Sequence, residues 1–323
     1  MQSLSSFYVP IRSFCLALSA TLACIVPVLA AQAYKPAFST AGFYQTDASV
    51  REAINFNVGW RFIKQDVPGA EASGYPDADW SLVNLPNGME LLPLTASGGV
   101  NYQGPSWYRK QFTADPALKG RKVMLHFEGI MGKSRIWLNG TLLKEHFGGY
   151  FPIHIDLSEH LRYGEVNVVA VRADNSNDPD YPPGKIQEAL DFTYFGGIYR
   201  DAWLITHNKT YVTNPLAVDK VAGGGVFVHY ADLSEESARV IVQTDIANEG
   251  ASRAVRLELQ LKDKDGQLAA NRFTSLTLPS GGSETASLEM TVEQPKLWHP
   301  DNPHLYDLFI TLLDDSGQTV DTF

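Results

Sequence analysis

Carboxylates outnumber every other charged group on this chain, 36 Asp and Glu against 26 Lys and Arg. Five of them, Glu128, Glu145, Asp156, Asp174 and Asp191, stand in or beside stretches that read as strands and loops. A pair of carboxyl groups held across one bond can divide the roles of proton donor and of nucleophile or base. On proteins built from strands, most acidic side chains are solvated or cap turns, so none of the five is assigned a catalytic role. Polar and aromatic groups gather in two further stretches. Asn101-Tyr102-Gln103-Gly104-Pro105 reads as a turn-forming loop, on which Asn101 either meets a ligand or caps the turn. Residues 173–193 are polar and irregular, rich in Asp, Asn and Pro, and lie between two confident strands. A loop of that length inside a compact domain is usually functional or disordered.

Other chemistries are poorly served. Histidines at 126, 146, 154, 160, 207, 229, 299 and 304 lack the close spacing of a zinc site, and Cys15 and Cys24 both lie in an apolar amino-terminal segment. Neither a metal nor another cofactor is expected. Gly223-Gly224-Gly225 precedes a strand and not a helix, so nothing reads as a phosphate loop. A formal net charge of −10 with no run of Lys or Arg argues against nucleic acid as a partner.

The elements that must position these groups are strands. Val123, Leu125 and Phe127 alternate with Met124, His126 and Glu128, and Ile136 and Leu138 lead into Asn139-Gly140. Asn-Gly supplies the positive φ angles of a two-residue type I′ turn, so residues 135–138 and 141–144 should pair as a hairpin. Ile136 and Leu138 then share the buried face, and Trp137 faces the other way, where a second layer or a partner surface must cover it. Alternation predicts further strands over residues 56–62, 80–86, 107–112, 166–171 and 198–205, with one Ser-capped helical turn at 158–164. The strand at 166–171 is apolar on both sides and should be central. After Tyr211 about seven simple strands follow, at 226–230, 240–246, 255–261, 273–278, 286–292, 305–313 and from 318 on. Few helices and many short strands with Gly and Pro turns call for an all-β chain of two-sheet sandwiches.

The segments FEGI, IWLNG, HFGGYFPIHIDL, VNVVAVRADNS and DFTYFGGIYRDAWLI, with WSLVNLP and NYQGPSWYRKQF upstream, resemble the sugar-binding domain of glycoside hydrolase family 2, which contains β-galactosidases, β-glucuronidases and β-mannosidases. The resemblance implies a galactose-binding-like jelly-roll sandwich over residues 54–210 and an immunoglobulin-like sandwich over 211–323. In that family both catalytic glutamates lie on a TIM barrel that follows. No barrel is encoded here, and the chain reaches Phe323 inside what should be its last strand, so it is expected to be inert by itself. Asp174 matches an aspartate that holds sugar hydroxyls in β-galactosidases of the family, and Asn101 an asparagine of the preceding loop. Asp191, Tyr194 and Phe195 would line the same mouth, or else cap and anchor the loop. The implied partner is a carbohydrate of β-galactoside type, with β-glucuronidase or β-mannosidase specificity, or a stand-alone carbohydrate-binding module, as alternatives.

Arg12, the apolar stretch from Phe14 to Leu29 and the small residues Ala30, Ala31 and Ala33 form the layout of a secretory signal peptide over residues 1–33, followed by a linker at 34–53. The expected address is secreted and periplasmic, with no membrane association after cleavage.

Overall fold

The computed structural model describes residues 49–92, 101–218 and 220–323. The expected signal peptide and most of the linker lie outside the described residues. What is described is all-β: ten strands form a jelly-roll sandwich, eight form an immunoglobulin-like one, and the only helical segments among the described residues are two 3-10 turns, Pro116–Leu118 and Gln187–Ala189.

The first sandwich comprises β1 (Glu52–Asn55), β2 (Trp60–Ile63), β3 (Ser81–Val83), β4 (Pro105–Thr113), β5 (Lys122–Phe127), β6 (Lys133–Leu138), β7 (Thr141–His146), β8 (Ile153–Asp156), β9 (Val166–Asp174) and β10 (Ala202–His207). A four-stranded sheet runs β1-β10-β5-β8, and a six-stranded sheet runs β3-β2-β4-β9-β6-β7. Period-2 alternation sends Leu125 and Phe127 from one sheet, and Ile136, Leu138, Val169 and Val171 from the other, into one core. The Asn139-Gly140 hairpin forms as expected, with φ of 52° and 87° and Leu138 opposite Thr141. Trp137 stacks on Trp107 at 5.2 Å on the outer face, where Val67, Ala70 and Trp80 cover the pair.

That cover is a long loop between β2 and β3, and a buried cation holds it. Arg109, 0% exposed, pairs through Nε with Asp77 at 2.8 Å. Its two terminal nitrogens donate to the carbonyls of Ala70, Ala72, Ser73 and Tyr75. The guanidinium fork thereby satisfies loop carbonyls that would otherwise be buried without partners.

The second sandwich comprises β11 (Thr210–Val212), β12 (Val226–Ala231), β13 (Ser237–Asn248), β14 (Arg253–Asp263), β15 (Leu268–Leu278), β16 (Gly282–Glu293), β17 (Tyr306–Leu313) and β18 (Thr319–Thr322). One sheet places β11 and β12 against one edge of β13 and β16 against the other; the second runs β15-β14-β17-β18. Val240, Val242, Leu257, Leu259, Ile310 and Leu312 fill the space between them. Two hairpins share one device: Asp263 Oδ1 accepts from the amides of Asp265 and Gln267, and Asp314 Oδ1 from those of Ser316 and Gln318, all at 2.9–3.0 Å.

Several expected elements differ. Of the strand expected at 56–62 only the part from Trp60 on forms, as β2, because the chain bends at Gly59, φ 80°; Phe56 and Trp60 meet edge to face at 5.7 Å in the core. The first strand among the described residues, β1, starts at Glu52, two residues before the expected start. The helical turn at 158–164 is a plain turn: Ser158 Oγ accepts from Val123 N and donates to Asp156, and Asn167 binds both Arg162 N and Arg162 O. The strand expected from 198 starts at Ala202, because Gly197 and Ile198 bond to Met131 and Asn87 in the neighbouring loops. Arg200 and Asp201 consequently precede the strand. Trp298 is 60% exposed, on a loop closed by the His299–Asn302 bridge.

Candidate functional site

The site grows from β9, which lies between β4 and β6 inside the six-stranded sheet. Its last residue, Asp174, lies opposite Pro105 of β4 and Lys133 of β6, so the rigid middle of the six-stranded sheet carries this carboxylate to the sheet's end. Asp174 Oδ1 caps the following turn, accepting from Ser176 N at 3.0 Å and Ser176 Oγ at 2.6 Å. Its Oδ2 accepts from Arg172 Nη1 at 3.3 Å. Arg172 is in turn clamped by Asp66, Nε to Oδ1 at 2.9 Å and Nη2 to Oδ2 at 3.0 Å. This bidentate bond holds the Asp66 carboxyl below the usual carboxylate range. The result is a carboxylate fixed on two sides and 18% exposed, a group able to accept further hydroxyl hydrogen bonds.

Behind Asp174 the loop at 174–196 is knitted to the loop at 101–105. Asn175, 1% exposed, accepts from Gly104 N at 2.9 Å and donates to the Tyr102 carbonyl at 2.8 Å. Asn101, 5% exposed, donates through Nδ2 to the Tyr194 carbonyl at 3.0 Å, and its Oδ1 accepts from Gln187 Nε2 at 2.6 Å. The Tyr194 hydroxyl lies 3.2 Å from Gln103 Oε1 and 3.1 Å from Asn177 Oδ1, and burial pushes its pKa up. The Tyr181 hydroxyl faces the carbonyls of Asp174 and Ser176, and burial together with the Asp174 charge raises it to about 12. Asp191 is exposed, next to the exposed Phe192, and makes no contact with Asp174.

The structure thus gathers Asn101, Tyr194 and Asp174 around one pair of loops, in different roles. Asn101 and the Tyr194 backbone form a buried brace, and Asp174 carries the polar group at the strand end. Sequence reading missed Arg172, Asp66, Asn175 and Gln187. For Asp174 and Ser176 the signal was present, since Asp-x-Ser is a common turn-capping spacing. For Asp66 and Gln187 there was none, because their partners are 106 and 86 residues away.

The remaining carboxylates are held by neighbours. Glu128 accepts from Trp203 Nε1 at 3.0 Å, and burial raises its pKa. Asp156 pairs with Lys122, and Glu145 with Arg135 at 2.6 Å. Among the described residues no cluster of His, Cys, Asp and Glu could hold a metal ion.

Comparison with known proteins agrees with the fold. Residues 73–208 match the description "Glycosyl hydrolases family 2, sugar binding domain", and residues 225–323 match "Glycosyl hydrolases family 2". A β-glucuronidase of Formosa agariphila is 30% identical over 289 residues, covering 85% of this chain and 29% of that protein. A β-galactosidase of Thermoanaerobacter pseudethanolicus is also 30% identical, covering 82% of this chain and 34% of that protein. The structure of a family 2 β-glucuronidase superposes with a TM-score of 0.77 at 28% identity, over 87% of this chain and 30% of that one. The chain therefore spans about a third of the length of the curated relatives it matches. With the sugar-binding region and the region after it both matched, in the family's order, the chain belongs to glycosyl hydrolase family 2.

Proposed function

We propose that this chain is the amino-terminal part of a secreted, β-galactosidase-like glycosidase that hydrolyses terminal β-glycosides. In this reading it supplies scaffold and substrate-mouth loops, and the two catalytic carboxyl groups come from outside its 323 residues. The observation that carries the reading is Asp174, presented at the end of β9 with both oxygens already oriented by Arg172 and Ser176. A carboxylate so fixed accepts hydroxyl hydrogen bonds without first losing freedom of its own, which suits the non-reducing end of a sugar ring. Asn101, Gln187 and Tyr194 hold the loop that frames it, and Asp191 is an exposed polar group on that loop. On its own the chain is expected to show no hydrolysis.

A second reading, β-glucuronidase specificity, draws on relatives of that name. The two are separated by assaying the full product of the gene on 4-nitrophenyl β-D-galactoside, β-D-glucuronide and β-D-mannoside. The proposal expects the highest kcat/KM on the galactoside. A preference for the glucuronide or mannoside would replace it with that specificity, and activity on none of them would remove the glycosidase reading.

A further inference from the structure

Two cations flank Asp174, and each is committed to another carboxylate. Arg172, two residues earlier on the same face of β9, gives Asp66 its Nε and Nη2 at 2.9 and 3.0 Å and reaches Asp174 only through Nη1, at 3.3 Å. Lys133, opposite Asp174 in the register of β6 and β9, is paired with Asp178 and sits 5.3 Å from the centre of the Tyr181 ring. Asp66 follows the end of β2, at the start of the loop that Arg109 anchors, and Trp107 Nε1 donates to its Oδ1 at 3.3 Å.

This division decides what Asp174 can still accept. An arginine fork binds a carboxylate best with two parallel bonds to two oxygens, and here Asp66 takes them. The remaining bond, to Asp174, is longer than the roughly 2.8 Å of a strong charge-assisted one. A carboxylate offers about four acceptor positions. Ser176 fills two at Asp174 Oδ1 and Arg172 one at Oδ2, so Oδ2 can take one more donor. Without the charge of Asp66, the fork would turn to Asp174, the other carboxylate it touches, and close that position. The Asp66 side chain is 53% exposed and that of Arg172 24%, so the exchange needs no opening of the core.

We propose, resting on the reading of Asp174 as a holder of sugar hydroxyls, that Asp66 is a positioning residue for the substrate: by occupying the fork of Arg172 it keeps Asp174 open to a hydroxyl. The test is a double-mutant cycle in the full gene product, assayed on the 4-nitrophenyl glycoside it prefers. Asp66→Asn removes the charge and keeps an oxygen for Trp107. It is expected to lower kcat/KM about fivefold, chiefly by raising KM. Added to Asp174→Ala, the same substitution should cost less than about twofold, since it acts through that carboxylate. A merely structural role for Asp66 would lower kcat/KM alike in both backgrounds. Such an equal loss, or an undiminished kcat/KM in Asp66→Asn while Asp174→Ala is impaired, would overturn the proposal and leave the reading of Asp174 standing. An unimpaired Asp174→Ala would remove that reading, and the role of Asp66 with it.

Discussion

Gly197 shows how little latitude single positions around the mouth have. Its φ is 98°, and a Cβ there would sit 2.3 Å from the Tyr108 hydroxyl and 2.8 Å from the Asn87 carbonyl. Gly197→Ala is expected to destabilise the folded chain by about 2 kcal/mol or more, from backbone strain and overpacking together, read as a lowered urea midpoint. An unchanged midpoint would mean that the loops behind Asp174 yield easily. Residue identity alone made Asp174 legible as a polar group ending an apolar strand. It could not show that Asn101, equally polar and also on a loop, turns inward, because its partners Gln187 and Tyr194 are brought there only by the folded chain. Gly196 belongs to the same close-packed corner, with Asn175 Nδ2 only 2.5 Å from where a Cβ would stand.

At the scale of elements, Arg109 anchors the long β2–β3 loop, and this loop covers Trp107 and Trp137. Replacing it by Met removes one partner of a buried ion pair and leaves Asp77 and several carbonyls unmatched. The expected loss is about 3–5 kcal/mol, measured by urea unfolding followed by tryptophan fluorescence. A loss below about 1 kcal/mol would mean that the loop holds itself. The strands of the second sandwich were readable because they alternate cleanly, two of their hairpins turning on Asp-x-x-Gly. Those of the first were readable only in their middles. β1 is short and half exposed, β2 follows a bend at Gly59, and the buried Ile198 mimics a strand residue while bonding to a loop. At 158–164 a local helical preference lost to the side-chain bonds of Ser158 and Asn167.

Across the whole described molecule, the two sandwiches meet along a polar seam. Arg51 clamps the fully buried Asp321 and donates to the Val212 carbonyl, and Lys122 bridges Asp156 and Glu249. Three imidazoles lie against these groups, with His126 and His154 Nδ1 atoms 3.2 Å apart and the His207 ring tilted against Tyr211 at 4.2 Å. Burial lowers His126 and His207 to about 4 and His154 to about 3, the last also repelled by His126 and His207 and by Arg51. These values lie below that of an unfolded imidazole, about 6.5, so below that pH the unfolded chain takes up protons that the folded chain refuses. Stability present above pH ~6.5 is therefore lost as pH falls toward ~4, by about 1.4 kcal/mol per pH unit for each buried imidazole. The melting temperature should drop by on the order of 10 °C between pH ~6.5 and ~4.5, before most carboxylates titrate. A flat profile over that range would contradict neutral burial of these histidines. Arg51→Ala should separate the two sandwiches in unfolding, giving two transitions by calorimetry where the parent gives one. The central claim, that Asp174 holds sugar hydroxyls for a family 2 glycosidase, is tested most directly by comparing kcat/KM of the full gene product with that of its Asp174→Ala variant on 4-nitrophenyl β-D-galactoside. A fall of about 10- to 100-fold with little change in melting temperature is predicted, the size expected for losing hydrogen bonds to a charged group. Undiminished kcat/KM in the variant would contradict it.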